Sequence, residues 1–348
     1  VAWSRGAIAF ASGSGAEARV SYGHPRLPAV DEIAVGGIVK LQGLAREFPN
    51  TRFRFNILYL VSSRLPDGAV ILARWAARKG ARIVVNQNGV AYPGWHGPGW
   101  EQTNAPMREL LALADHVFYQ SAFCKLSADT FAGAPARTWE VLHNAVDTAV
   151  FTPGPPRDGG ATLLLGGSQD QWYRFESAVR TLATLRRRGR GMNLIVTGRL
   201  RWHTDPDRCR REAINLLQST GLTDHVMLTG PYSQRQAPEI FRRADVLLHT
   251  KYNDPCPAVV IEAMACGLPV VYSASGGVPE LVGDAGVGIP AALSWERDLA
   301  PDPEALADGV ESVIAGRREF SGRARARAVA RLDLAGWVAR HRAVFSAP

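Results

Sequence analysis

The chain has 348 residues, too many for one hydrophobic core of ordinary size, so two domains are expected. Lysine and arginine total 40 against 32 aspartates and glutamates, a net charge of +8; that suits an anionic substrate or a membrane surface, although an arginine- and alanine-rich composition accounts for it equally well. Apolar runs are too short for a membrane-spanning helix, and Cys124, Cys209, Cys256 and Cys266 form no CxxC pair or metal-ligand spacing, which excludes a disulfide framework and a structural zinc site.

Residues 1–17 carry no pattern that assigns them a role. From there the chain reads as strand-then-helix units. Strands are expected near 18–23, 54–61, 82–87, 115–119 and 139–143, with helices near 38–48, 67–79, 103–113 and 121–132. In the first helix Ile38, Leu41, Ala45 and Phe48 recur at spacings of three and four and form one apolar face. Gly36 and Gly37 stand directly before it; such a pair lets backbone N–H groups approach an anion, or simply makes a tight turn. After the third strand, "NQNGVAYPGWHGPGWEQ" is expected to be a loop. Its Trp95 and Trp100 offer flat faces to sugar rings, or pin the loop. His96 is the best-placed histidine for proton transfer, whereas His116 and His143 fall in strands and read as packed.

Three prolines and three glycines within 147–160 mark a linker. The expected division is 1–150, 151–323 and a C-terminal helix, 324–348, that packs back toward the first domain. Further strands are expected near 161–166, 192–197, 225–229, 245–249 and 268–273. This alternation argues for α/β architecture, two Rossmann-like doubly wound domains facing a central cleft, with ligands at the carboxyl ends of strands. Gly166 and Gly167 follow a strand, and Arg174 begins the next helix; it suits a phosphate, or is a surface arginine. Asp205 and Asp207 have DxD spacing, but Pro206 between them indicates a turn, and no metal is assigned. Gly276 and Gly277 form a third pair before a helix. In the last segment Val329, Leu332, Leu334, Trp337, Val338 and Val344 are available to pack while the arginines stay wet.

The stretch "NDPCPAVVIEAMACGLPVV" is the most informative. Residues 258–266 are apolar on every side except at Glu262, and such a helix is buried. An unpaired buried carboxylate is costly, so Glu262 pairs with a base, shifts its pKa or meets a ligand. Asp254 reads as an N-cap before a first-turn proline. Continued as a helix, eight positions would put the two carboxylates on one side, roughly 12 Å apart or less. A phosphate-binding GxxxxGK[ST] loop, a GxSxG elbow and an HExxH pair are absent from the sequence.

"DPCPAVVIEAMACGLPVVYSASGGVPELV", "ADHVFYQSAFCK" and "VLHNAVDTAVFTP" together resemble the retaining two-domain glycosyltransferases of the GT-B fold called family 4, or group 1. The resemblance runs from about residue 18 onward. It implies that Glu262 accepts hydrogen bonds from the ribose of a nucleotide diphosphate sugar, UDP or GDP, and that Asp254 lies beside the transferred sugar. The diphosphate is then expected against Gly36, Gly37 and a basic loop with Gly167, Ser168 and Arg174, with Gly276 and Gly277 also donor-binding. Trp95 and Trp100 would hold a sugar or glycolipid acceptor. It further implies front-face transfer without a metal or cofactor, no nucleic-acid partner, and a role in polysaccharide or glycoconjugate biosynthesis. The expected place is cytoplasmic, or peripheral on the inner face of the membrane. Several positions depart from the family pattern. Asp254 stands for a glutamate, Pro257 for a glycine and Asn88 for a histidine, with His96 as a stand-in. The clamping arginine and lysine align with Ser168 and Arg174, and Lys251 is the candidate replacement cation. Rival readings are a nucleotide-sugar epimerase or phosphorylase of the same fold, and a degenerate nucleotide-sugar-binding protein.

Overall fold

The computed structural model describes residues 17–34, 36–155 and 160–347. Residues 1–16, and 156–159 of the expected linker, lie outside the described residues. The chain forms two compact units. One holds the described residues up to Ala29 with Ala34–His143 and the stretch from Ala335 onward; the other holds Val30–Ile33 and Asn144–Leu334.

The first unit has a parallel sheet in sequential order: β1 (Val20–Ser21), β2 (Ile57–Val61), β3 (Arg82–Gln87), β4 (His116–Tyr119) and β5 (Thr138–Val141). Its helices are α1 (Gly36–Ala45), α2 (Ala69–Arg78), α3 (Pro93–His96), α4 (Trp100–Leu113) and α5 (Ala122–Phe131). Every residue of β2 is buried, which is why "ILYLV" reads as an unbroken apolar run rather than an alternation.

The second unit begins with β6 (Thr162–Leu165), α6 (Trp172–Arg187), β7 (Asn193–Thr197), α7 (Pro206–Ser219) and β8 (Val226–Gly230). It continues through α8 (Ala237–Arg242), β9 (Val246–His249), α9 (Ala258–Ala265), β10 (Val270–Ala274), α10 (Val278–Val282), β11 (Gly286–Pro290), α11 (Pro303–Ala315) and α12 (Arg317–Arg331). The strand order is β11-β10-β9-β6-β7-β8, all parallel. β11 was not anticipated: "GVGIP" has too little side chain to signal a strand, and it forms at the sheet edge, paired with β10. Residues 144–150 run with this unit, ahead of the expected boundary. Asn144 Nδ2 donates to the Cys256 carbonyl at 2.7 Å, and Val146 exchanges 2.9 Å backbone bonds with Leu332 and Leu334.

Those bonds also break the C-terminal segment, which is two helices and not one. α13 (Leu334–Phe345) follows α12 after Leu332 and Asp333. Two further expectations fail in α12. Val329 is exposed, and two arginines are not simply wet. Arg325 donates to the carbonyls of Thr148, Phe151 and Ala265, and Arg327 to those of Glu280 and Leu281. Among the described residues no helix is long and apolar enough to cross a membrane.

α13 buries Trp337, His341, Val344 and Phe345, a helical stripe that packs within the first unit. His341 Nδ1 donates to the Trp337 carbonyl at 2.8 Å, and Nε2 accepts from Tyr59 Oη at 2.9 Å. Burial pushes the His341 pKa down to about 3, against the Trp337 bond, which raises it. The folded protein thus binds fewer protons than the unfolded chain below the ordinary histidine value of 6.5. Its contribution to stability is full above that pH and is lost as pH falls toward 3, by about 1.4 kcal/mol per unit. Urea melts across this window are expected to show that slope, and His341→Leu to flatten it.

Candidate functional site

Ligands in doubly wound sheets bind beyond the carboxyl ends of strands, where the strand order reverses. In the second unit that place lies between β6 and β9. The segments leaving these strands, 166–171 and 250–257, carry Gly167, Ser168, Lys251 and Asp254 of the expected site residues, and Arg174 follows the first of them in α6. Arg174, in the first turn of α6, is 4 % exposed and is no surface arginine. Its Nη1 donates to the Ser168 carbonyl at 2.6 Å, and its own carbonyl accepts from Thr250 Oγ1 at 2.8 Å. It therefore ties the two loops together. Gly167 N–H donates to Thr197 Oγ1 at 3.1 Å.

Asp254 is buried, with Oδ2 3.2 Å from His249 Nε2 and 3.5 Å from Lys251 Nζ. Burial by itself would raise its pKa; Lys251, His249 and Arg174 outweigh this and hold the carboxyl well below its usual range. Burial lowers the pKa of His249 despite the pull of Asp254, which favours the neutral ring.

The backbone here is tightly set. Asn253 is left-handed (φ 49°) and donates its N–H to Ser275 Oγ at 2.8 Å. Gly277 N–H donates to the Asp254 carbonyl at 2.9 Å. Gly276 has φ +66°, and a Cβ there would lie 2.4 Å from that same carbonyl, so a side chain is excluded. This glycine pair shapes the Asp254 loop, and the Gly277 amide is already engaged.

Asp254 does not cap α9. Pro257, extended at φ −70° and ψ 120°, precedes the first helical residue and provides no side-chain cap. Pro255 and Pro257 keep the preceding residues out of the helical region, so helical spacing does not relate Asp254 to Glu262. Glu262 lies inside α9, 4 % exposed, and accepts one hydrogen bond, from Gln234 Nε2 at 3.0 Å. Burial pushes its pKa up to about 7, against the Gln234 bond.

Three polar atoms of this cluster are buried without an aligned hydrogen-bond partner: Arg174 Nε, His249 Nε2 and Asn253 Oδ1. Native proteins leave few such groups. These three lie together where the strand order reverses. Among the described residues no group of three His, Cys, Asp or Glu is placed to hold a metal ion; Asp205 instead caps α7, accepting from Asp207 N–H at 2.9 Å.

In the first unit Gly36 and Gly37 open α1, so their amides lie in the first turn, where N–H groups have no intrahelical acceptor. A Cβ on Gly37 would approach Ser63 Oγ to 2.9 Å, so the glycine allows the helix start to rest on the turn after β2. Asn88 follows β3, its N–H donating to Ser62 Oγ at 2.8 Å. The expected loop, 86–102, is helical in part, in α3 and the start of α4. Trp100 packs edge-on against Phe131, centroids 5.3 Å apart, whereas Trp95 is 48 % exposed. His96 is exposed, 2.8 Å from Thr103 Oγ1. His116 is held in β4 by Thr138 and Glu140, and His143 lies beyond β5 rather than in a strand.

The sequence profile of the glycosyl transferases group 1 family matches residues 154–331, just over half of the chain. The chain belongs to this family. Among curated relatives, the D-inositol 3-phosphate glycosyltransferase of Mycolicibacterium vanbaalenii is 31% identical over 190 residues, 50% of this chain and 40% of that protein. The enzyme of the same name from Mycobacterium bovis is 31% identical over 205 residues, 57% of this chain and 40% of its own length. The matched part thus spans well under half of these relatives. In fold, the chain is similar to sucrose-phosphate synthase from Thermosynechococcus elongatus, with a TM-score of 0.68 and 18% identity over 84% of this chain and 74% of that one. Anabaena HepE in complex with UDP and glucose gives a TM-score of 0.68 at 18% identity, covering 84% and 78%. The fold is α/β of the GT-B type.

Sequence reasoning did not single out the side chains of His249, Asn253 or Gln234, which the structure places beside Asp254, Arg174 and Glu262. A signal was present for His249: it ends the apolar run "DVLLH", and the carboxyl end of a parallel strand is where ligands are met.

Proposed function

We propose that this chain transfers a sugar from a nucleotide diphosphate sugar, UDP- or GDP-linked, to the hydroxyl of a sugar or glycolipid, with retention of anomeric configuration and without a metal ion. The observation that carries this reading is the cluster of buried, unpartnered polar atoms at the β6–β9 reversal, beside two cations, Arg174 and Lys251. Glu262 complements it: a buried carboxylate with one neutral donor has room for hydroxyl donors such as those of a ribose. Arg174, Lys251 and main-chain amides beside Gly167 stabilise charge on the departing diphosphate. Asp254 meets the transferred sugar. The sugar–phosphate C–O bond breaks, the acceptor oxygen forms the new C–O bond on the same face, and its proton passes to the leaving phosphate oxygen. On the first unit, the exposed ring of Trp95 is the acceptor platform, and the biosynthetic setting is a polysaccharide or glycoconjugate.

The test is thermal denaturation with UDP-, GDP-, ADP- and dTDP-sugars beside the free nucleotides. A ligand at 100 times its Kd adds about 2.7 kcal/mol of stability. Selective stabilisation by one base is expected; no shift with any of them at millimolar concentration overturns the donor-site reading.

A further inference from the structure

His249 is the buried titratable group that this mechanism leaves unused. It closes β9 and is 1 % exposed. Its Nε2 stands 3.2 Å from Asp254 Oδ2, yet is off the axis of a good hydrogen bond and has no other partner. Lys251 Nζ approaches the same oxygen, at 3.5 Å. Both contacts fall on Oδ2, which leaves Oδ1 for another donor. The backbone cannot adjust in their place, because Asn253, Gly276 and Gly277 fix it from both sides. The direction of the Asp254 carboxylate is therefore set by these two side chains. They differ in kind: Lys251 is a flexible, partly exposed cation, free to turn toward a phosphate, whereas the His249 ring is immobilised in the core.

We infer that His249 is a positioning residue for Asp254: its Nε2–H takes over Oδ2 when Lys251 turns to an arriving diphosphate, and so aims Oδ1 at a hydroxyl of the transferred sugar. This rests on the donor-site reading above. It explains why a short aspartate serves here, since a carboxylate anchored through one oxygen presents the other at a defined place. It also explains the off-axis geometry of His249 in the protein without ligand: at 3.2 Å the ring already favours the Asp254 carboxylate, and the contact aligns fully when Lys251 leaves. No proton is transferred; the ring stays neutral and donates.

The experiment compares His249→Gln, whose amide nitrogen reaches near the Nε2 position, with His249→Asn, which stops short of it, and His249→Leu. Melting temperatures identify the folded variants. His249→Leu and His249→Asn are expected to lower kcat about tenfold with donor KM within twofold, and His249→Gln to recover most of the loss. In an Asp254→Asn background the same changes are expected to have no further effect, since coupled residues are non-additive. Full kcat in His249→Leu, equal losses in the Gln and Asn variants, or an undiminished effect in the Asp254→Asn background each overturn the inference. A ligand-free readout separates it from the functional reading. The Asp254 carboxyl carbon, followed by 13C NMR, is expected to titrate at higher pH in His249→Leu, or in His249→Asn if the leucine variant does not fold. An unchanged titration defeats the positioning role, whereas absence of any donor turnover in the wild type defeats only the proposed transfer.

Discussion

Glu262→Gln is expected to weaken nucleotide-sugar binding by about 10- to 100-fold, the range for losing hydrogen bonds to a charged, buried group. The carboxylate lies in a helix with no polar face and has one neutral donor, Gln234. Its pKa stands near 7 because of burial. The folded protein therefore binds more protons than the unfolded chain above the ordinary value of 4.5. This contribution to stability is full below that pH and is lost as pH rises through about 7, at about 1.4 kcal/mol per unit. Hydroxyl donors favour the ionised form, so donor binding below pH 7 should release a proton, and affinity should fall on acidification. Calorimetry in buffers of different ionisation enthalpy reads both effects. Glu262→Gln should abolish the proton release; unchanged affinity and unchanged release would remove Glu262 from the donor site.

Arg174→Met is expected to reduce kcat/KM for the donor by about 10²- to 10³-fold, comparable to removing one preorganised donor to a developing negative charge. Arg174→Lys should retain part of the activity, since the charge stays but the planar fork is lost. The melting temperature is expected to stay within a few degrees of wild type. Arg174 is buried with Nε unpaired, so the folded protein already carries the desolvation of that group, and Ser168, which accepts its one bond, is only partly buried. A variant that unfolds readily but turns over normally when cold would make Arg174 a structural tie between the 166–171 and 250–257 segments and nothing more.

Part of this site is legible in the sequence, and the reasons differ residue by residue. Glu262 stood out because a carboxylate inside an apolar nine-residue run is a local contradiction, and α9 is indeed buried around it. Asp254 was visible as a residue but misread as a cap, because Asp-Pro reads as a helix start; a second proline two residues on moved the helix start to Ala258. Arg174 gave no sign of burial, since an arginine in a first turn reads equally as surface. The three glycine pairs looked alike in sequence and proved unlike in space: Gly36 and Gly37 open a helix against a turn, Gly167 is held by Thr197, and Gly276 and Gly277 brace the Asp254 backbone.

What the sequence by itself determined is what depends on neighbours along the chain. The alternation of buried strands and amphipathic helices, the α/β class, the carboxylate in α9 and the glycine turns all follow from periodicity and local backbone preference. The tertiary structure alone decided that β9 lies beside β6, which brings segments about eighty residues apart in the chain to one place and sets Arg174, His249, Lys251 and Asp254 together. It also decided that Asn144–Leu334 closes on itself through Val146 and thereby breaks the last helix in two. Strand order and side-chain burial are set by which apolar faces find each other across the whole chain, and no local pattern encodes that choice.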